Sequence, residues 1–155
     1  MKRAPRLVFE RTTRIDAPLG DVFRFFAAPP NLGRITPPQM RFRITRGPDR
    51  DLREGDRIEY SFRFLGFPLR WTSHIVLWRE NESFADLQER GPYAYWLHTH
   101  TFREAGGVTE MHDRVEYSLR FEFLGRFLAA PFVRRELEEI FDYRGQAIQR
   151  AFPAK

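Results

Sequence analysis

"LEEIFDYRGQAIQRA", residues 137–151, decides the fold. Leu137, Ile140, Phe141, Arg144, Ala147, Ile148 and Ala151 fall at i, i+3, i+4, i+7, i+10, i+11 and i+14, one apolar stripe of a 3.6-residue repeat interrupted only by Arg144. Glu138, Glu139, Asp142 and Gln149 take the other side, as does Arg135 upstream. The spacing predicts one long amphipathic C-terminal helix beginning near Pro131. A helix with a single apolar stripe needs a surface to bury it against.

The chain upstream supplies that surface. From Met40 onward the period is two: Phe42 and Ile44 alternate with Arg41 and Arg43, and Ile58, Tyr60, Phe62 and Phe64 alternate with Arg57, Glu59, Ser61 and Arg63. Further strands are predicted over Leu69 to Trp78, Ser83 to Glu89, Ala94 to Glu104 and Val108 to Leu119. Turn residues part them at Gly66 and Pro68, Asn81, Gly91-Pro92 and Gly106-Gly107. Gly106-Gly107 reads as a hairpin turn, not a phosphate cradle. Ahead of this meander, Leu7 to Ile15 reads as a strand, Pro18 suits the first position of a helix carrying Val22, Phe23, Phe25 and Phe26, and Pro29-Pro30 ends it. A second short helix is predicted around Asn31 to Ile35. The order strand, two short helices, roughly six strands and a long helix is an α+β arrangement, with helices gathered on one face of an antiparallel sheet.

A chain of 155 residues, 42% of them hydrophobic, has the size of one domain with one core. Sixteen Phe, five Tyr and three Trp are a large aromatic supply, and aromatics line ligand cavities as readily as they fill solid cores. The formal charge of +5 invites a nucleic-acid or anionic-membrane reading. Asp49, Arg50, Asp51, Arg53, Glu54, Asp56 and Arg57 show why the first does not follow: the charges interleave and form no basic stripe. No RNA-binding motif or zinc finger is present. Cysteine is absent, which excludes disulfides, thiolate catalysis and cysteine-ligated zinc. Residues 1–5 carry no apolar signal-peptide core, and no stretch approaches the ~20 apolar residues of a membrane span, so a cytoplasmic protein is expected.

In "YWLHTHTF", residues 95–102, two histidines stand two apart in a strand. Trp96, His98, His100, Phe102 and Glu104 then share one face. Three readings compete. The His98-Thr99-His100 and Glu104 spacing is that of cupin metal sites, but no second motif brings a further histidine, and no metal or other cofactor is expected. His98 or His100 paired with Asp86, Asp113 or Glu116 would make a general acid/base. Alternatively both histidines hydrogen-bond Asp86, Gln88 or Asp113 and merely satisfy a polar patch in an aromatic interior. Asp113 adds weight to a buried cluster, because it falls in register with Met111, Val115 and Tyr117, and an inward carboxylate must be paired. Trp71, Trp78, Tyr60, Phe62, Phe84 and Tyr93 either line a cavity or fill a core. Arg144, on the helix stripe, either reaches an anionic group or holds its head in water. No Ser/His/Asp arrangement or dinucleotide fingerprint is present.

"RIDAPLGDVFRFFAAPPNLGRITPP" (14–38), "FADLQERGPYAYWLHTHTF" (84–102), "MHDRVEYSL" (111–119) and "IFDYRGQAI" (140–148) together resemble the SRPBCC superfamily, also called START-like, Bet v 1-like or polyketide cyclase/dehydrase-like. The resemblance is closest to small stand-alone bacterial ligand-binding members and covers nearly the whole chain. It implies a helix-grip fold, in which a curved antiparallel sheet of about seven strands grips the C-terminal helix around a hydrophobic cavity for lipids, quinones, isoprenoids or polyketides. Carried onto this sequence, the wall would comprise Tyr60, Trp71, Asp86, Gln88, Trp96, His98, His100, Phe102 and Asp113, with Leu137, Phe141 and Arg144 from the helix. The function it implies is a carrier or receptor for a small hydrophobic ligand. An alternative is a cyclase or dehydratase using His98 or His100 with Asp86 or Asp113. Peripheral contact with anionic membranes through the Arg-rich surface is a further partner reading, and monomer and homodimer remain equally open.

Overall fold

The computed structural model describes residues 6–64, 66–120 and 124–155. Strand β1 (Leu7–Ile15) is followed by α1 (Leu19–Ala27) and α2 (Pro30–Arg34), then a 3-10 turn at Pro38–Met40. The meander β2 (Arg43–Arg46), β3 (Arg57–Phe64), β4 (Phe67–Arg79), β5 (Ser83–Arg90), β6 (Tyr95–Ala105) and β7 (Val108–Ser118) leads into α3 (Leu124–Ala151). All strands form one seven-stranded sheet ordered β1-β7-β6-β5-β4-β3-β2 with every pair antiparallel. The first strand pairs with the last, so β1 and β7 lie side by side at one end of the sheet, with β2 at the other edge.

The local causes are plain. Pro18 precedes α1 with φ −60°, and Val22, Phe23 and Ala27 are its buried side. Pro30, lacking an amide proton, sits at the first position of α2, where none is needed. Gly106 and Gly107 adopt φ of +62° and +80°, the left-handed pair of a tight hairpin between β6 and β7. In β7, alternate residues Thr109, Met111, Asp113, Val115 and Tyr117 are buried and the residues between are not, so the inward face runs the length of the strand.

Helix α3 departs from expectation at its start. It begins at Leu124, and Pro131 lies inside it. Proline ends a helix only where the lost amide bond and ring clash are not outweighed. Here the apolar side continues above Pro131, with Ala129 and Val133 facing the sheet across an internal space.

Among the described residues, three apolar clusters hold the layers together. One joins α1 and the end of α3 to the sheet through Phe23, Ile148, Phe84, Phe102 and Met111. A second packs Leu137 and Phe141 on Phe9, Val115 and Tyr117. The third, Leu52, Ile58 and Ile75, lies toward the β2 edge. Arg11 on β1 pairs with Asp142 on α3 at 2.6 Å, and Gln149 Nε2 donates to the Arg14 carbonyl at 2.8 Å, fixing the helix along β1. Among the described residues, no helix is long and apolar enough to cross a membrane.

Candidate functional site: a cavity with a buried His/Asp cluster

Between the clusters lies a cavity of about 340 Å³, within the range of small-molecule sites. Neighbouring strands bring their aromatics together because the register sets them opposite: Tyr60 on β3 faces Trp71 on β4, with rings 6.1 Å apart and nearly parallel. Trp71 meets Trp96 edge-on at 5.3 Å. Phe25 and Phe26 from α1, Leu32 from α2, and Leu137 and Phe141 from α3 close other sides.

The polar part of the wall is also a product of register. Asp86 on β5 stands opposite His98 on β6, and His100 stands opposite Asp113 on β7. His98 Nε2 lies 2.8 Å from Asp113 Oδ1 and His100 Nδ1 lies 3.0 Å from the same oxygen, the second too poorly aligned for a good hydrogen bond. The other nitrogens turn toward Asp86: His98 Nδ1 is 3.8 Å and His100 Nε2 3.6 Å from its Oδ2. The imidazole centroids are 3.9 Å apart, and His100 stacks on Phe84 at 4.2 Å. Ser73 Oγ, from the position between Trp71 and Ile75, donates to Asp86 Oδ1 at 3.2 Å and accepts from Trp71 Nε1 at 3.0 Å. Asp113 is fully buried.

No protein-family model matches the chain, and no curated protein does. Solved structures do. A START superfamily protein from Mycobacterium smegmatis superposes with a TM-score of 0.72 at 10% identity, over 94% of this chain and 96% of that one. The chain has the START-like, or Bet v 1-like, helix-grip fold. A second Mycobacterium smegmatis protein gives a TM-score of 0.70 at 19% identity, over 94% of this chain and 90% of its own. Major latex-like protein 151 from Panax ginseng gives 0.67 at 12% identity, over 96% and 99%.

Within this helix-grip cavity the electrostatics follow from burial and pairing. Desolvation pushes Asp113 and Asp86 up, but the two imidazoles outweigh it, through hydrogen bonds and charge, and hold both carboxyls below the ordinary range. His100 is likewise opposed by burial, yet the Asp113 and Asp86 carboxylates raise it. For His98 burial wins, reinforced by the neighbouring His100, and its affinity for a proton falls. The two rings are therefore shifted in opposite directions, His100 up and His98 down. Tyr60 is pushed up by burial and the Asp86 charge, and stays a neutral donor.

Of the twelve expected wall residues, Tyr60, Trp71, Asp86, Trp96, His98, His100, Leu137, Phe141 and Arg144 line the cavity. Gln88, Phe102 and Asp113 do not. Gln88 closes the β5–β6 turn, donating to the Tyr93 carbonyl at 3.0 Å and accepting from the Tyr93 amide at 3.2 Å. Phe102 is in the closed core between Phe23, Phe26 and Phe84. Asp113 stands behind the histidines and touches the cavity only through them. Glu104, at the far end of the histidine strand, is exposed. Trp78 packs on Phe23 and Phe84 and lies off the wall. Ser73 was missed, although the register argument that found Asp113 applies to it: it is a small polar residue between inward Trp71 and Ile75. Phe25, Phe26 and Leu32 carried no signal, since nothing local shows which side of α1 and α2 meets a cavity and which a core.

Proposed function

We propose that the chain binds one small, largely apolar ligand with an acidic or polar end in the cavity between the sheet and α3. The observation that carries this reading is the 340 Å³ cavity walled by Tyr60, Trp71, Trp96, Leu137 and Phe141. An apolar ligand in a space of that size contacts the aromatic wall at interior packing density, with about 25 cal/mol gained for each Å² of apolar surface removed from water. Arg144 supports the polar end. Its Nε is buried and lacks a hydrogen-bond partner among the described residues, while its guanidinium lies over the Phe141 ring at 4.8 Å. A carboxylate or phosphate is the acceptor that such a group pairs with best.

The test is native mass spectrometry of the purified chain, then denaturing extraction and identification of any released molecule. A co-purified lipid, quinone, isoprenoid or polyketide supports the reading. A thermal-shift panel of such compounds extends it, since a ligand at 100 times its Kd stabilises by about 2.7 kcal/mol, or roughly 5–11 °C for a chain of this size. An empty protein that no compound stabilises refutes it.

The His98–His100 pair on the wall, backed by Asp86 and Asp113, favours a second reading, a cyclase or dehydratase with the pair as general acid/base. Once the ligand is known, His98→Ala and His100→Ala separate the two. A binding protein loses affinity modestly, whereas the enzyme loses turnover by ~100-fold or more.

A further inference from the structure

We infer that Asp86, His98 and His100 form a binding site for one divalent transition-metal ion, open to the cavity. One donor atom from each of the three lies within 4.8 Å of the other two. The Asp86 Oδ2 to His98 Nδ1 and His100 Nε2 separations of 3.8 and 3.6 Å compare with roughly 3.3 Å between donors around a tetrahedral ion with ~2.0–2.1 Å bonds. The two imidazole donors stand within 4.8 Å of each other, so side-chain rotation must draw the three donors together as the ion binds.

What distinguishes this cluster from an ordinary buried ion pair is the shell behind it. Metal-bound histidines donate their second ring nitrogen to a carboxylate, which fixes tautomer and orientation. Here the second nitrogens of both rings face a single fully buried oxygen, Asp113 Oδ1, at 2.8 and 3.0 Å. The second oxygen of Asp86 is held in the same way, by Ser73 Oγ, which Trp71 Nε1 orients. His98 and Asp86 are thus braced from behind by hydrogen bonds, and His100 Nδ1 stands in contact with the same Asp113 oxygen. Ligation requires both imidazoles neutral, and with any imidazole proton displaced by the ion the two carboxylates leave a charge of −2, which a divalent cation cancels. Two imidazoles and one carboxylate are the ligand set of zinc or ferrous iron, and three protein donors leave positions free on the cavity side, where an oxygen of a bound molecule or water completes the sphere. Glu104, the carboxylate that spacing along the strand would select, is exposed and replaced by Asp86 from the neighbouring strand. The inference does not depend on the cavity holding an organic ligand.

The experiment is titration of EDTA-stripped protein with Zn²⁺ alone by calorimetry and with Co²⁺ alone by visible absorption. The expected result is one ion per chain, with affinity at least ~100-fold weaker in His98→Ala and His100→Ala and at least ~10-fold weaker in Asp86→Asn, a near-isosteric change that preserves the fold. Asp113→Asn weakens binding by ~10–100-fold. Glu104→Gln, at an exposed position, and His112→Ala, at a half-buried one on the other face of the sheet, leave it unchanged. Absence of binding by the wild-type chain overturns the inference. So does an affinity in Asp86→Asn, folded by circular dichroism, within two-fold of wild type. The titration contains no organic ligand and the extraction described above is run in EDTA, so either reading can fail while the other stands.

Discussion

Asp113→Asn in the metal-stripped protein tests the electrostatic account most directly. The carboxylate is fully buried, and its Oδ1 takes the 2.8 Å hydrogen bond from His98 and the 3.0 Å contact from His100. Its Oδ2 has no partner among the described residues, so the amide of asparagine would place an N–H group there without an acceptor. A hydrogen bond to a charged group contributes about 1.5–3 kcal/mol and a buried unsatisfied donor costs about 1–3 kcal/mol, offset by no longer burying a charge. The net expectation is a loss of about 3 kcal/mol, or roughly 6–12 °C in Tm. The pH dependence is sharper than the magnitude. Asp113 is held low, so its contribution is complete above the ordinary carboxylate value of about 3.9 and is lost as pH falls toward the folded value, by about 1.4 kcal/mol per unit. His100 is held high, so its contribution is complete below its ordinary value of 6.5 and is lost as pH rises through the folded one. His98 is held low by burial and by His100, so in both proteins it costs stability as pH falls below its ordinary value. Urea unfolding of wild type and variant from pH 3 to 8, in EDTA, should therefore give a stability difference that peaks between about pH 4.5 and 6 and declines on both sides. A difference below 1 kcal/mol, or one flat across that range, refutes the reasoning.

Three further changes probe other parts of the wall. Ser73→Ala strands the buried Trp71 Nε1 and strips one donor from Asp86, so urea unfolding should show a loss of about 1–3 kcal/mol, accompanied by a change in tryptophan fluorescence. Arg144→Leu removes a guanidinium with no ion pair among the described residues; stability should change by less than about 1 kcal/mol, while calorimetry shows affinity for an acidic ligand falling by about 10-fold or more and that for its neutral analogue unchanged. Gly91→Ala places a Cβ 2.4 Å from Gln88 Oε1. Gln88 must then move and release both bonds to Tyr93, and hydrogen exchange at the Tyr93 amide should accelerate, with about 1–3 kcal/mol lost overall.

Much of the architecture is legible in the chain because two periods do not mix. A repeat of two over the meander and 3.6 over residues 137–151 can each bury one face in only one kind of element, and together they require a sheet packed on a helix. The same alternation places His98, His100 and Asp113 on inward faces, since each lies in phase with apolar neighbours on its own strand. What alternation cannot supply is the relation between strands. That Asp86 stands opposite His98, that both second imidazole nitrogens meet one oxygen of Asp113, and that Ser73 reaches Asp86 are consequences of pairing register. Register depends on turn geometry and on the bulges near Ser73 and Ile75. The boundary between cavity and core is still less local. Phe102 and Trp96 occupy equivalent inward positions on one strand, yet the first is sealed by Phe23 and Phe26 and the second faces open space. Sequence by itself determined which side chains point inward, because that is a property of one element's geometry. Only the tertiary structure decided which of them meet and where space is left between them, because those depend on how far two curved layers stand apart.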